Sequence, residues 1–356
     1  MNKIKLGIVG LGRAGWGMHF EELKAYPDLF EIAAVCDLLP DRTKKAEDRC
    51  GCKTYDKIED LIADENVEIV VIATRTCDHY RHAMMALKAG KDVFLEKPMC
   101  QNVKEAEELF ASANKPGKPR LFIRQNRRYE LAFNNVKDTI ASGKLGNVFE
   151  ITIEQIGYQR RDDWQTLTEF GGGQLLNWGP HIIDHALRLL DAPVKEQFGL
   201  RTHAVAGGDA EDHFSIHFIG ENGRKVNVWI SGATALRSGR YFTVYGTKGA
   251  MVIHNSDVEV KYIDPAQKLP PVISSSDTPG ASFGKSGTFE AAVNPNWIEE
   301  KYTLSGEDLT QIWKSLYESY RNGADFPIKP EEVLALMTAV TKLREQDPII
   351  DMTDKQ

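Results

Sequence analysis

Apolar and polar positions change period along this chain. Leu6-Gly7-Ile8-Val9, Glu31-Ile32-Ala33-Ala34-Val35-Cys36, Glu68-Ile69-Val70-Val71-Ile72-Ala73 and Asp92-Val93-Phe94-Leu95 are short, nearly uninterrupted apolar runs. Such runs suit strands covered on both faces, as in a parallel sheet. Between them lie segments with helical spacing: 41–49 up to Gly51, a short one marked by Ile58, Leu61 and Ile62, 79–89 up to Gly90, and 103–114. Glycine takes the left-handed conformation that stops a helix. The alternation predicts right-handed crossovers and a doubly wound Rossmann sheet in the first third.

Further on, the period becomes two. In 213–219, Phe214, Ile216 and Phe218 point one way and His213, Ser215 and His217 the other; 225–231 repeats the pattern. This is the signature of half-buried antiparallel strands, and 148–156, 241–246, 251–254 and 258–263 extend the sheet. His213 and His217 share a face, where a polar outer surface or subunit interface is a better reading than a metal. Segments 308–322 and 330–345 read as amphipathic helices, and 264–296, rich in Pro, Ser and Gly, as a long irregular loop. The expected division is a dinucleotide-binding domain over 1–125 and a substrate and oligomerisation α/β domain over 126–356.

Composition narrows the function classes. The 356 residues, 42% hydrophobic and 27% charged, are ordinary for a soluble protein with a buried core. The formal net charge of -7 argues against nucleic acid or an anionic membrane as partner. No apolar stretch approaches the ~20 residues needed to cross a bilayer. No signal-like apolar region precedes the first strand. Cys36, Cys50, Cys52, Cys77 and Cys100 follow neither a disulfide framework nor a zinc spacing, so a reduced, cytoplasmic protein without metal is expected.

The first apolar run leads into Gly10-Leu11-Gly12-Arg13-Ala14-Gly15 and then a helix-compatible segment. A glycine triplet alone suits any turn, but between a strand and a helix it fits a dinucleotide site. Gly10 permits the tight turn, Gly12 lets a pyrophosphate approach the backbone, and Gly15 lets helix and strand pack closely. The helix N-terminus presents N–H groups to the phosphates, with Arg13 and Ala14 completing the turn. Asp37, 22 residues after Gly15, ends the second strand, where a carboxylate can bond the adenosine ribose hydroxyls. It would repel a 2′-phosphate and Leu38 offers no cation, so NAD is expected over NADP, although Arg42 lies nearby. Gly10, Asp37, Thr74 and Glu96-Lys97-Pro98 all fall at carboxyl ends of strands, where ligands sit, with His79 shortly after Thr74.

Two stretches carry candidate chemistry. Lys97 follows a strand and precedes a proline, so a stiff backbone aims its ammonium, which can stabilise alkoxide character in a substrate hydroxyl. Gly171-Gly172-Gly173 runs into an apolar periodic segment with Asn177, His181 and Asp184 at i, i+4 and i+7, one face of a continuous helix. An imidazole between two polar neighbours suits acid/base work. Upstream, Arg160, Arg161, Asp163 and Trp164 suit a substrate loop that bonds sugar hydroxyls and stacks on a sugar ring; they equally suit a solvated charged loop.

With Gly10-x-Gly12-x-x-Gly15, Glu96-Lys97-Pro98 and the Gly171-to-Asp184 stretch in one chain, the sequence resembles the glucose–fructose oxidoreductase / inositol dehydrogenase / MocA family. Asn126-Arg127-Arg128-Tyr129 and Gly143-Lys144-Leu145-Gly146 follow that family's order too. The resemblance implies a Rossmann domain followed by an α/β domain with a large, mainly antiparallel sheet. It implies a tightly bound nicotinamide cofactor and sugar or polyol substrates, with Lys97 as motif lysine and His181 as proton-transfer residue. The Lys97–Pro98 peptide is often cis in relatives. Relatives with dehydrogenase activity commonly carry Asp where this chain has Asn177, which leaves open whether Asp184 orients His181 or Lys97 is the principal acid/base.

The resulting expectation is an NAD-dependent dehydrogenase of a sugar, polyol or glycoside secondary alcohol, with His181 and Lys97 taking the proton and Asn177 and Asp184 orienting them. A homodimer or homotetramer through the second sheet is expected with family support. Sugar elimination or glycoside cleavage without net redox change, and a non-enzymatic NAD-binding sensor, are the alternatives.

Overall fold

The structure is a computed structural model describing residues 2–274, 276, 293–306, 308–346 and 348–353. The strands are β1 (Ile4–Val9), β2 (Phe30–Cys36), β3 (Lys53–Tyr55), β4 (Ile69–Ile72), β5 (Asp92–Leu95), β6 (Leu121–Ile123), β7 (Val148–Ile156), β8 (Val194–His203), β9 (His213–Gly220), β10 (Lys225–Ser231), β11 (Arg240–Gly246), β12 (Gly249–His254), β13 (Asp257–Ile263), β14 (Trp297–Thr303) and β15 (Ile349–Asp351). The helices are α1 (Phe20–Glu22), α2 (Pro40–Cys50), α3 (Ile58–Ala63), α4 (Thr76–Lys88), α5 (Val103–Ser112), α6 (Leu131–Ala141), α7 (Gln174–Asn177), α8 (Gly179–Leu190), α9 (Gln311–Asn322) and α10 (Pro330–Gln346).

The first sheet is parallel throughout, in the order β3-β2-β1-β4-β5-β6. The order reverses beside β1, and this places the ends of β1, β2, β4 and β5 around one crevice. The apolar runs are buried as their composition requires: β4 exposes none of its four residues. Leu6, Ile8 and Phe94 on one face of this sheet join Ile312, Trp313, Leu316 and Tyr317 of α9 in a common core. A segment from the far end of the chain therefore completes the first sheet's core.

The second sheet has nine strands in the order β14-β13-β12-β11-β7-β10-β9-β8-β15. Only the β7–β10 and β8–β15 pairs are parallel, so the sheet is mainly antiparallel. Alternation in β9 buries Phe214, Ile216 and Phe218 against α8, whose Ile182, Ile183 and Ala186 are fully covered. Each such side chain contributes about 1.5–3 kcal/mol by leaving water. The strands without an expectation from the sequence include β3, β6, β14 and β15, which are the four sheet edges. Three of them are three residues long, too short to establish a period. Residues 275 and 277–292 of the expected loop lie outside the described residues.

Candidate active site

The glycine turn closes as the spacing requires. Gly10 has φ +91°, and a Cβ there would meet the Ala73 carbonyl oxygen at 2.7 Å; one on Gly15 would meet the Gly10 oxygen at 1.9 Å. A Cβ on Gly12 would find only the Arg42 guanidinium, 4.0 Å away. Among the described residues no acceptor meets the amides of Gly12, Arg13 and Ala14. A tight frame with one open cradle and free N–H groups fits a dinucleotide pyrophosphate. Helical backbone continues from Gly15 to Ala25, beginning with a π turn.

Asp37 directly follows β2 beside this turn. Its Oδ2 accepts from the Leu11 N–H at 2.6 Å and its Oδ1 from the Leu39 N–H at 3.0 Å. Arg42 approaches to 3.4 Å from the solvent side. The carboxylate thus holds the turn, and its oxygens keep lone-pair capacity for further donors. Thr74, just after β4, is gripped by two histidines of α4. His82 Nδ1 lies 3.1 Å from its hydroxyl, and His79 Nε2 lies 3.2 Å from its carbonyl. His79 Nδ1 also sits 2.7 Å from the Pro98 carbonyl. His79 is therefore a brace between β4 and the Lys97–Pro98 segment, with neither ring nitrogen turned to a cofactor.

Glu96 is also turned away from the crevice. Its Oε1 faces His19 Nε2 at 2.7 Å and accepts from Arg124 at 3.0 Å, while Oε2 accepts from the Lys97 backbone N–H at 3.1 Å. Burial opposes its charge, but the Arg124 guanidinium and the His19 bond hold its carboxyl well below the usual range. The next peptide, Lys97–Pro98, is cis.

Lys97 reaches across to the glycine-rich segment and donates to the backbone carbonyl of Asn177 at 3.0 Å. A local break in the helix exposes that carbonyl. The sequence suggested one continuous helix, but α7 ends at Asn177 and α8 begins at Gly179. Pro180 has no N–H, and the His181 N–H bonds the Trp178 carbonyl at 3.0 Å instead of Asn177 four residues back. The orphaned carbonyl then accepts from Lys97. Asn177 meets Lys97 through its backbone, not its amide.

His181, on the first turn of α8, is buried, and its Nδ1 has no hydrogen-bond partner. Burial, followed by the Lys97 and Arg127 charges, pushes its imidazolium well below the usual range, so the ring is neutral. Burial likewise pushes the Lys97 ammonium down to about 8; Glu96 opposes this and Arg13, Arg124 and Arg127 add to it. The expected orienting role of Asp184 meets a competing bond. Its carboxylate takes both arms of Arg128, with Nη2 at 2.7 Å from Oδ1, and Arg128 also bonds Glu332 of α10 at 2.8 Å. Asp184 fastens α8 to its neighbours and is not turned to the imidazole.

In the loop before α7, Arg161 donates to Asp163 at 2.7–2.9 Å and to Gln165, and Asp163 caps the turn beginning at Trp164. Arg160 is exposed and Trp164 half-buried. Arg161 lines a narrow cleft with Gln159, Gln165, Gln174 and Asn177, so this loop and Lys97 share Asn177. Gln174 Oε1 is buried there without a partner. The sequence did not single out His19, Glu22, Arg124 or Gln174. Arg127, within the quoted Asn126–Tyr129 motif, lies 4.6 Å above the Trp178 ring. No group of three or more His, Cys, Asp or Glu suited to a metal occurs among the described residues.

Comparison with known proteins agrees with this architecture. Residues 4–123 match the model of the oxidoreductase family with an NAD-binding Rossmann fold, and residues 133–252 match the GFO/IDH/MocA C-terminal domain. An uncharacterised oxidoreductase of Schizosaccharomyces pombe is 32% identical over 71% of this chain and 70% of its own length. The scyllo-inositol 2-dehydrogenase (NADP(+)) of Bacillus subtilis is 24% identical over 97% of this chain and 94% of its own. Among solved structures, an NAD-binding protein from Listeria innocua superposes with a TM-score of 0.80 at 24% identity, covering 98% of each chain. The two family models together cover more than half of the chain, and this chain belongs to the GFO/IDH/MocA family of oxidoreductases.

Proposed function

We propose that this protein is an NAD-dependent dehydrogenase that oxidises a secondary hydroxyl of a sugar, polyol or glycoside. The observation carrying the proposal is the Lys97 ammonium, lowered to about 8 and held 3.0 Å from the Asn177 carbonyl, with the neutral His181 on the adjoining helix. Gly12, Arg13, Ala14 and Asp37 would hold a nicotinamide dinucleotide, which supplies the hydride acceptor. Lys97 in its amine form takes the hydroxyl proton, because its proton affinity exceeds that of the imidazole. The neutral His181 donates its ring N–H to the oxygen of the same hydroxyl and aims it, leaving the hydroxyl's one proton to Lys97. Proton transfer by a placed side chain contributes ~10²–10⁴-fold.

Asp37 supports NAD over NADP, because a 2′-phosphate beside its carboxylate would be repelled. Full-length similarity to a relative named as an inositol dehydrogenase supports a polyol substrate. On the second sheet, Phe198, Leu200, Trp229 and Tyr245 are exposed, which supports a homo-oligomer through that face. The five cysteines are free, in keeping with a reducing, cytoplasmic setting. The test is a panel of inositols, sugars and glycosides with NAD. Accumulation of NADH with a ketone product supports the proposal; substrate cleavage without NADH, or no turnover at all, refutes it.

A further inference from the structure

Beneath Lys97 lies a buried chain of charges drawn from four separate segments. Glu96 is shared by His19 of the glycine-turn helix and Arg124 after β6. The other arm of Arg124 bonds both oxygens of Glu22 in α1 at 2.6 Å. Glu22 in turn accepts from the indole N–H of Trp313 in α9 at 2.7 Å, and the Trp313 ring meets His19 edge-on at 5.3 Å. His19, Arg124 and Trp313 are fully buried, and Glu96 is 5% exposed. A charge group so buried costs stability unless every member is paired. Its position fits a role in the site: Glu96 bonds the Lys97 backbone N–H directly.

We propose that the Trp313–Glu22–Arg124–Glu96 chain fixes the orientation and proton affinity of Lys97, making Glu22 and Trp313 positioning residues that act from outside the crevice. The charged groups facing Lys97 are Glu96 beside it, Arg13 of the glycine turn, and Arg124 and Arg127 after β6; the neutral ring of His181 in α8 also faces it. Glu22 shares the Arg124 charge with Glu96. Without Glu22, Arg124 leans wholly on Glu96 and cancels more of the negative charge that favours a protonated Lys97. The sign follows: loss of the Glu22 charge makes Lys97 release its proton at lower pH. Trp313 keeps the Glu22 carboxylate on Arg124, which gives α9 a stake in the site beyond apolar packing.

The inference rests on the proposed use of Lys97, so its test reads Lys97 with and without turnover. In Glu22→Gln the acid limb of the kcat–pH profile moves down by about half a pH unit. The midpoint for modification of Lys97 by an amine-directed reagent, followed by mass spectrometry, moves with it. Glu22→Asp keeps the charge on a shorter arm and moves both by a smaller amount in the same direction; it carries the test if Glu22→Gln does not fold. A folded variant whose Lys97 modification midpoint stays at the parent value, or rises, overturns the inference. A shifted modification midpoint with an unshifted kcat profile upholds the network and refutes Lys97 as the proton acceptor.

Discussion

The Lys97 ammonium and the Asn177 carbonyl, 3.0 Å apart, join the end of the first sheet to the glycine-rich segment that leads into the second. Neither residue reaches this contact by local preference. Lys97 is aimed by a peptide whose flanks are tied down by Glu96 and His79, and the Asn177 carbonyl is released by the helix break before Pro180. The contact keeps a partly desolvated amine in place while leaving it hydrogen-bonded.

The depressed proton affinity of Lys97 gives a pH dependence of defined sign. Lowering from 10.5 to about 8 means that the amine form accumulates above about pH 8. Alcohol oxidation by the amine rises with pH and levels off above that point, and the reverse reduction, which needs the ammonium, falls over the same range. Initial rates in both directions across pH 6–10 check this.

Asn177→Asp places a carboxylate in the residue whose carbonyl Lys97 already bonds. An opposite charge there favours the ammonium, so the acid limb of alcohol oxidation moves up by about one pH unit. A profile that stays fixed, with the variant folded, shows that the position-177 side chain does not reach the lysine electrostatically.

Gly15 and Gly12 of the turn should fail differently when a methyl is added. Gly15→Ala drives a Cβ to within 1.9 Å of the Gly10 oxygen, and such overpacking destabilises by about 1–3 kcal/mol, read as a lower thermal midpoint. Gly12→Ala has space for its methyl, since only Arg42 stands 4.0 Å away, and folds like the parent. Its methyl occupies the open cradle and weakens NAD binding about tenfold or more, ~1.4 kcal/mol by calorimetry.

Asp184→Ala leaves Arg128, already shared with Glu332, as a buried cation short of a partner. Removing one member of such a pair costs about 3–5 kcal/mol. Denaturant unfolding should report that loss while the kcat–pH profile keeps its shape. A folded Asp184→Ala enzyme whose kcat falls as far as that of His181→Ala would return Asp184 to orienting the imidazole.

Much of the fold was legible because the relevant signals are short-range. The buried runs of β1, β2, β4 and β5, and the two-residue period of β9 and β10, need only neighbouring residues to be read. Gly10, Gly12, Gly15 and Asp37 were legible through fixed spacing. The roles of His19, Glu22 and Trp313 were not, because their partners lie 77, 102 and 291 residues away in sequence. An amphipathic pattern in α9 signals a covered face but not which sheet covers it. Asp184 shows the limit in the other direction: helical spacing set it beside His181, and Arg128, 56 residues earlier, took its carboxylate.

The most direct test of Lys97 as proton acceptor is single-turnover NADH formation by Lys97→Ala, with cofactor affinity and thermal midpoint matched to the parent. The loss predicted is ~10²–10⁴-fold, with rescue by added primary amines and disappearance of the acid limb near pH 8. His181→Ala should lose less and retain that limb. A folded, NAD-binding Lys97→Ala enzyme that oxidises its substrate at the parent rate would contradict the account.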